Sequence, residues 1–212
     1  MQQYPDGEVR QLVELAGFEH RTREFKGAFA WGDPKANWIQ ECTVRAILGL
    51  HNTPTGGQII IGIEDPFNVV GLSIEQLASF KRYEAIKGNV DSYSTVAIGF
   101  EIRWGNYHAN PGEQSYRLVV ISVPEFQTHP SICSKDGRTK KLLKGHIYCR
   151  SIRGAAETVP VGEAEMQEII TSAVDKGIQE MRRRGYIGGI TSPDAPPSDR
   201  RQFDQQIADL EI

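Results

Sequence analysis

Hydrophobic positions recur along the chain with two different periods, and the switches between them mark the elements. Val9, Leu12, Val13 and Ala16 recur at helical spacing over residues 6–16, with Asp6 placed to cap the start and Gly17 just past the end. Arg23-Glu24-Phe25-Lys26 reads as extended. Asp33-Pro34, a cap followed by a first-turn proline, opens a helix with Ile39, Cys42, Ala46, Ile47 and Leu50 on one face, ending near His51-Asn52. After the turn at Gly56-Gly57, Gln58-Ile59-Ile60-Ile61-Gly62-Ile63 is β-branched, apolar on both faces and too short for a helix, the pattern of a central strand stopped by Glu64-Asp65-Pro66. Ser73 and Gln76 make a capping-box pattern ahead of Leu77 and Phe80, which predicts a helix running to about Lys87.

Beyond it, Val96, Ile98, Phe100, Ile102 and Trp104 alternate strictly and predict a half-buried strand. Residues 117–123 predict a second long strand, with a polar turn over 106–114 between the two. Residues 129–153 read as short strands around a basic loop. Met166, Ile169, Ile170, Ala173 and Ile178 predict a long helix from Gly162 to Arg184-Gly185. The fold class is α/β in the α+β sense: a mixed sheet with flanking helices over residues 1–188. Residues 189–212 make a Pro-rich linker and a short amphipathic tail carrying Phe203, Ile207 and Leu210.

The length of 212 residues suits one domain with a tail. With 39% apolar and 24% charged residues the chain is an ordinary folded protein. Its net charge is −3, so there is no global positive field and any contact with nucleic acid must be local. Residues 1–7 carry no basic segment followed by an apolar run, and no stretch approaches the ~18 apolar residues of a membrane span; a cytoplasmic protein with no membrane partner is expected. Cys42, Cys133 and Cys149 lack zinc spacing and read as reduced, buried thiols, with a bridge between Cys133 and Cys149 left open.

The candidate chemistry centres on Glu24-Phe25-Lys26. On an extended segment Glu24 and Lys26 share one side while Phe25 points into the core. Glu19, upstream, and Asp65, at the exit of the central strand, could join them. Clustered carboxylates are what Mg²⁺ or Mn²⁺ requires, and such an ion can polarise a phosphodiester and activate a nucleophile while Lys26 neutralises developing charge. Each of these residues taken singly reads equally as a solvated surface charge. Glu19 and Glu24 also face opposite ways on a regular strand, so a shared site requires a turn or bulge between them.

A second feature is charge placement. Lys135, Arg138, Lys140, Lys141, Lys144, Arg150 and Arg153 stand against one acid, Asp136, so residues 135–153 carry +6; with −3 overall, the remainder carries −9. A positive stripe on an acidic protein is the footprint of phosphate-backbone contact, although Arg150 and Arg153 also suit structural ion pairs. No G-x-x-x-x-G-K-[ST] loop and no G-x-S-x-G elbow is present, and His51, His108, His129 and His146 are scattered.

Glu19-x-x-x-x-Glu24-Phe25-Lys26, Asn52-Thr53 ahead of Gly56-Gly57, Gly62-Ile63-Glu64-Asp65, Val70-Gly71 and Ile147-Tyr148-Cys149-Arg150 occur in an order that resembles the Schlafen AlbA-like domain over roughly residues 8–175. The chain departs from that pattern at Pro54-Thr55, which lengthens a loop, and after Arg150, where the glycine-serine turn is missing. The resemblance implies a Schlafen core-like lobe, nucleic-acid binding and, in nuclease members, a metal-dependent three-carboxylate site that cleaves structured RNA such as tRNA. Those acids fall on Glu19, Glu24 and Asp65. It also implies RNA ahead of DNA and pairing into a homodimer. Two functions follow: a Mg²⁺- or Mn²⁺-dependent endoribonuclease with Lys26 at the scissile phosphate, or a non-catalytic nucleic-acid-binding or regulatory module in which the same acids serve structure. Nucleotide binding without a P-loop is a third option.

Overall fold

A computed structural model describes residues 1–5, 7–14, 20–65, 67–109, 114–152 and 157–186. Along the chain run β1 (Gln2–Gln3), α1 (Glu8–Glu14), β2 (Arg23–Lys26), α2 (Asn37–His51), β3 (Gly57–Ile61), β4 (Ile63–Glu64), β5 (Asn68–Val69), α3 (Ile74–Phe80), α4 (Tyr83–Asp91), β6 (Glu101–Tyr107), β7 (Tyr116–Val123), β8 (Tyr148–Arg150), β9 (Thr158–Pro160) and α5 (Glu163–Arg183). Five strands form one mixed sheet in the order β1-β6-β7-β3-β2, with β4–β5 and β8–β9 as small antiparallel pairs. This is the expected α+β class.

The run 58–61 is apolar on both faces because β3 lies inside the sheet, parallel to β2 and antiparallel to β7, with both faces covered. Ile59 and Ile61 pack with Ile47, Leu48 and Leu50 of α2 and with Val119 and Ile121 of β7. Ile60 turns to the opposite face, among Val9 and Val13 of α1, Phe25, Leu118 and Val120. Gly56-Gly57 is a packing turn. Gly56 has φ +65°, and a Cβ there would collide with the Val123 carbonyl oxygen. Thr55 before it also has positive φ, at 71°, where the loop is lengthened.

Several expected elements differ. The central strand expected over Gln58–Ile63 is cut short: β3 ends at Ile61, Gly62 takes φ +109°, and Ile63 opens β4 in a separate small sheet. Asp33 accepts from the Lys35 N–H at 2.9 Å and caps a 3₁₀ turn over Pro34–Ala36, and α2 proper begins only at Asn37. The helix begun by the Ser73–Gln76 capping box stops at Phe80, and α4 restarts at Tyr83. Tertiary bonds cause the break: Arg82 donates to the Trp31 carbonyl at 3.0 Å and the Tyr83 hydroxyl to the Phe100 carbonyl at 3.0 Å. The alternation from Val96 survives as alternate burial of Ile98, Phe100 and Ile102, but ladder pairing starts only at Glu101.

Among the described residues of 129–153, β8 is the one strand, with an isolated bridge from Cys133 to Ser94, and the basic loop ahead of it is irregular. Leu142 is fully buried in the main core, and Glu41 of α2 accepts from the Thr139 N–H at 3.0 Å. Cys42, Cys133 and Cys149 are free, buried thiols, so no bridge joins the last two. Met1–Ala173 form one unit and Val174–Ile212 a second, of which only 174–186 are described. The expected boundary at 188/189 and the tail lie outside the described residues. No described helix is long and apolar enough to cross a membrane.

Candidate functional site

Edge strand β2 sets the geometry. Its register with β3, Glu24 opposite Ile59 and Lys26 opposite Ile61, turns both charged side chains toward the α2 side, while Phe25 joins the α1-side cluster. The sharing of one side by Glu24 and Lys26 is as expected, but that side is not open surface. Glu24 is only 7% exposed. One of its oxygens takes the Lys26 ammonium; the other takes the Arg150 guanidinium and the Thr158 hydroxyl, the latter at 3.1 Å.

Arg150, grouped with the basic stripe in the sequence, is 0% exposed and belongs to the interior. Its five N–H donors reach five acceptors: the Glu24 carboxylate, Thr158 Oγ1 at 3.1 Å, and the carbonyls of His20 (3.1 Å), Arg21 (3.3 Å) and Arg23 (3.0 Å). A guanidinium so buried and so fully bonded has no donor to offer a phosphate. The stripe therefore divides: Lys135, Arg138, Lys140 and Lys144 are exposed on the loop, Lys141 is half-buried, Arg150 is internal, and Arg153 lies outside the described residues.

The carbonyls that hold Arg150 come from a tight turn, in which the His20 and Arg23 backbones pair at 3.2 and 2.8 Å. This is the reversal that a shared site with Glu19 demands, although Glu19 itself lies outside the described residues. Arg21 leaves the turn to bond Glu168 with both terminal nitrogens. His20 Nδ1 accepts from the Thr22 N–H at 3.3 Å. Burial, with the charges of Arg23 and Arg150, holds the His20 imidazole below its ordinary value.

Glu24, Lys26 and Asp65 all line one cavity of about 410 Å³ between β2, the outer face of α2, the β4 turn and the basic loop. Glu64 and Glu157 add two further acids, and Arg45 and Lys141 add two further cations. Asp65 and Glu64 are exposed at the chain reversal after β3, created where Gly62 takes φ +109°. Trp38 and Ile39 from the start of α2 complete the wall, and the Lys141 ammonium sits over the Trp38 ring, 5.2 Å from its centroid.

Two of the three predicted metal acids thus meet at one cavity. Among the described residues, however, no three His, Cys, Asp or Glu side chains stand close enough together to hold a metal ion. The donors present are carboxylates, chemically right for Mg²⁺ or Mn²⁺. Their count falls short without Glu19, and both oxygens of Glu24 already carry cationic partners.

A family model described as Schlafen, AlbA_2 matches residues 19–155. The chain belongs to the Schlafen AlbA_2 family. No curated protein matches it. It is similar in structure to the DIP2311 protein from Corynebacterium diphtheriae, with 18% identity, a TM-score of 0.42, and coverage of 70% of this chain and 26% of that one. The chain thus spans about a quarter of that protein.

Membership of the Schlafen AlbA_2 family points to a nucleic-acid-binding role. The matched span contains β2, α2, the Asp65 turn, the basic loop and Arg150, and stops just before Glu157 and Thr158. Sequence reasoning missed Trp38, Arg45, Glu157 and Thr158. One signal was available: positions 38, 42 and 45 are spaced along one side of α2, and Arg45 intrudes beside the apolar stripe of Ile39, Cys42 and Ala46.

Proposed function

We propose that the chain binds nucleic acid at the cavity lined by Glu24, Lys26 and Asp65 and acts there as an endoribonuclease on structured RNA such as tRNA. The observation that carries this reading is convergence: β2, the Asp65 turn and Lys141 of the basic loop border one cavity although they are far apart in sequence. Exposed Lys135, Arg138, Lys140 and Lys144 would hold the RNA backbone by charge, and Lys141 would continue that grip to the cavity. Lys26, steadied by Glu24, would face the scissile phosphate. Asp65 would be the exposed acid beside it. Mg²⁺ or Mn²⁺, if held by Asp65, Glu24 and Glu19, would supply a polarised phosphate and an activated nucleophile. RNA over DNA, a cytoplasmic setting and pairing of two copies belong to the same reading.

The test is incubation with tRNA and Mn²⁺, with and without chelator, using the wild type and Asp65→Ala. Cleavage that vanishes with chelator and in the variant supports the enzyme. A second reading, a non-catalytic nucleic-acid-binding module, is favoured by the saturation of Glu24, whose bonds to Lys26, Arg150 and Thr158 are those of a structural acid. Retention of tRNA with no cleavage under any divalent ion supports that module instead.

A further inference from the structure

We propose that Trp38 is a stacking platform for one unpaired nucleobase, with Lys141 and Arg45 receiving the adjoining phosphate, so that the cavity takes a single-stranded or splayed-out nucleotide rather than continuous duplex. The inference deepens the nucleic-acid reading above and rests on it. Trp38 is 57% exposed in the first turn of α2, whereas Trp31 is buried at 5%. A lone exposed aromatic is ordinary. Here the indole borders a charged cavity and one of its faces already lies under the Lys141 ammonium. Every base has a π-face, so such a ring accepts any base that has left its helix, and a cation beside it meets the phosphate that follows.

Arg45 supplies an independent observation. It stands two helical turns beyond Trp38 and lines the same cavity, and its Nε is buried without a hydrogen-bond partner. A buried donor left unmade is costly, and a guanidinium edge is shaped for a phosphate oxygen pair. The cavity's acids limit what can enter. With Glu64, Asp65 and Glu157 around it, a nucleoside triphosphate with its several charges is repelled, whereas a phosphodiester brings one charge per nucleotide. Free-nucleotide binding is therefore disfavoured, and a strand is favoured.

The test uses the full chain, with a ten-residue oligouridylate and a blunt RNA duplex of mixed sequence as probes. Intrinsic tryptophan fluorescence and filter retention are read for wild type, Trp38→Ala, Trp38→Phe and Arg45→Gln, with thermal melting to confirm that each variant is folded. The single strand should quench wild-type fluorescence. Trp38→Ala should weaken its binding about tenfold or more, with Trp38→Phe retaining most of it and duplex retention unchanged. Arg45→Gln should weaken the single strand alone. Folded Trp38→Ala that binds the strand like wild type, or that loses strand and duplex equally, overturns the platform while leaving nucleic-acid binding intact. Wild type that retains neither probe overturns the binding reading itself, and the platform with it.

Discussion

The Arg150 guanidinium closes on the Glu24 carboxylate across 126 positions of sequence, and the pair ties β2, the 20–23 turn and β9 into one buried polar knot. Removing Arg150 leaves the Glu24 carboxylate with Lys26 as its one cation and strips three backbone carbonyls of their donor, and breaking such a buried pair typically costs about 3–5 kcal/mol. Arg150→Met is expected to destabilise the chain by that order. Glu24→Gln combined with Arg150→Met should cost less than the sum of the single changes, because both remove the same Arg150–Glu24 contact. Urea unfolding of the three variants measures both effects. Additive losses would mean that the two residues act separately.

Asn52 closes a second knot. It is 1% exposed; its amide donates to the Ser131 carbonyl at 2.8 Å and the Tyr148 carbonyl at 2.9 Å, and its oxygen accepts from the Ser131 N–H at 2.7 Å. Those bonds fasten β8 and the segment before the basic loop to the end of α2. Asn52→Ala strands buried backbone groups and should cost roughly 1–3 kcal/mol. Asn52→Asp should cost more, since a carboxylate would face two carbonyl oxygens. Equal melting temperatures for the two variants would refute this account.

Local pattern made much of the fold legible, and distance in sequence hid the rest. The alternation across β2 set Glu24 and Lys26 on one side, and the doubly apolar β3 announced a strand covered on both faces. Which side of β2 is solvent was not readable, because Glu24 is buried by Arg150 and Thr158, whose approach no local pattern encodes. For the same reason Arg150 passed for a member of the basic stripe: charge composition cannot separate a guanidinium with five internal acceptors from one in water. The capping box placed the start of α3 correctly, but its end depends on bonds from Arg82 and Tyr83 to distant carbonyls. Arg45 was the readable exception, a charge intruding beside an apolar helical stripe.

The His20 imidazole carries a pH consequence. Its ordinary value is 6.5, and burial with the nearby Arg23 and Arg150 charges lowers it in the folded chain. Between the lowered value and 6.5 the unfolded chain binds more protons, so stability rises with pH across that window. The contribution is present in full above about pH 6.5 and is lost as pH falls to the folded value. Protonation also removes the Nδ1 acceptor that the Thr22 N–H uses. Urea midpoints at pH 7.5 and 5.5 should differ more for wild type than for His20→Gln. An identical drop in both would place the acid sensitivity elsewhere.

All three thiols should resist modification in the native state. Burial pushes the Cys149 thiol up to about 12 and raises those of Cys42 and Cys133 as well, so the reactive thiolate is scarce at neutral pH. A thiol-reactive dye at pH 8 should label the folded chain slowly and titrate three groups in denaturant. One group in denaturant would reveal a disulfide that the structure lacks.

The basic loop offers a quantitative test of its role. Lys140 is exposed with φ 59°, held where the Lys140 N–H donates to the Gly137 carbonyl at 3.2 Å, and Lys141 next to it borders the cavity. If both meet phosphates, each contributes about one unit to the dependence of log affinity on log salt. Lys140→Glu with Lys141→Glu should therefore weaken tRNA retention strongly at low salt and flatten the slope by about two units, with little change in melting temperature. Lys144→Glu alone should lower the slope by about one if the grip extends along the loop. An unchanged slope in the double variant would make the loop a solvated surface and require the nucleic acid to be held elsewhere.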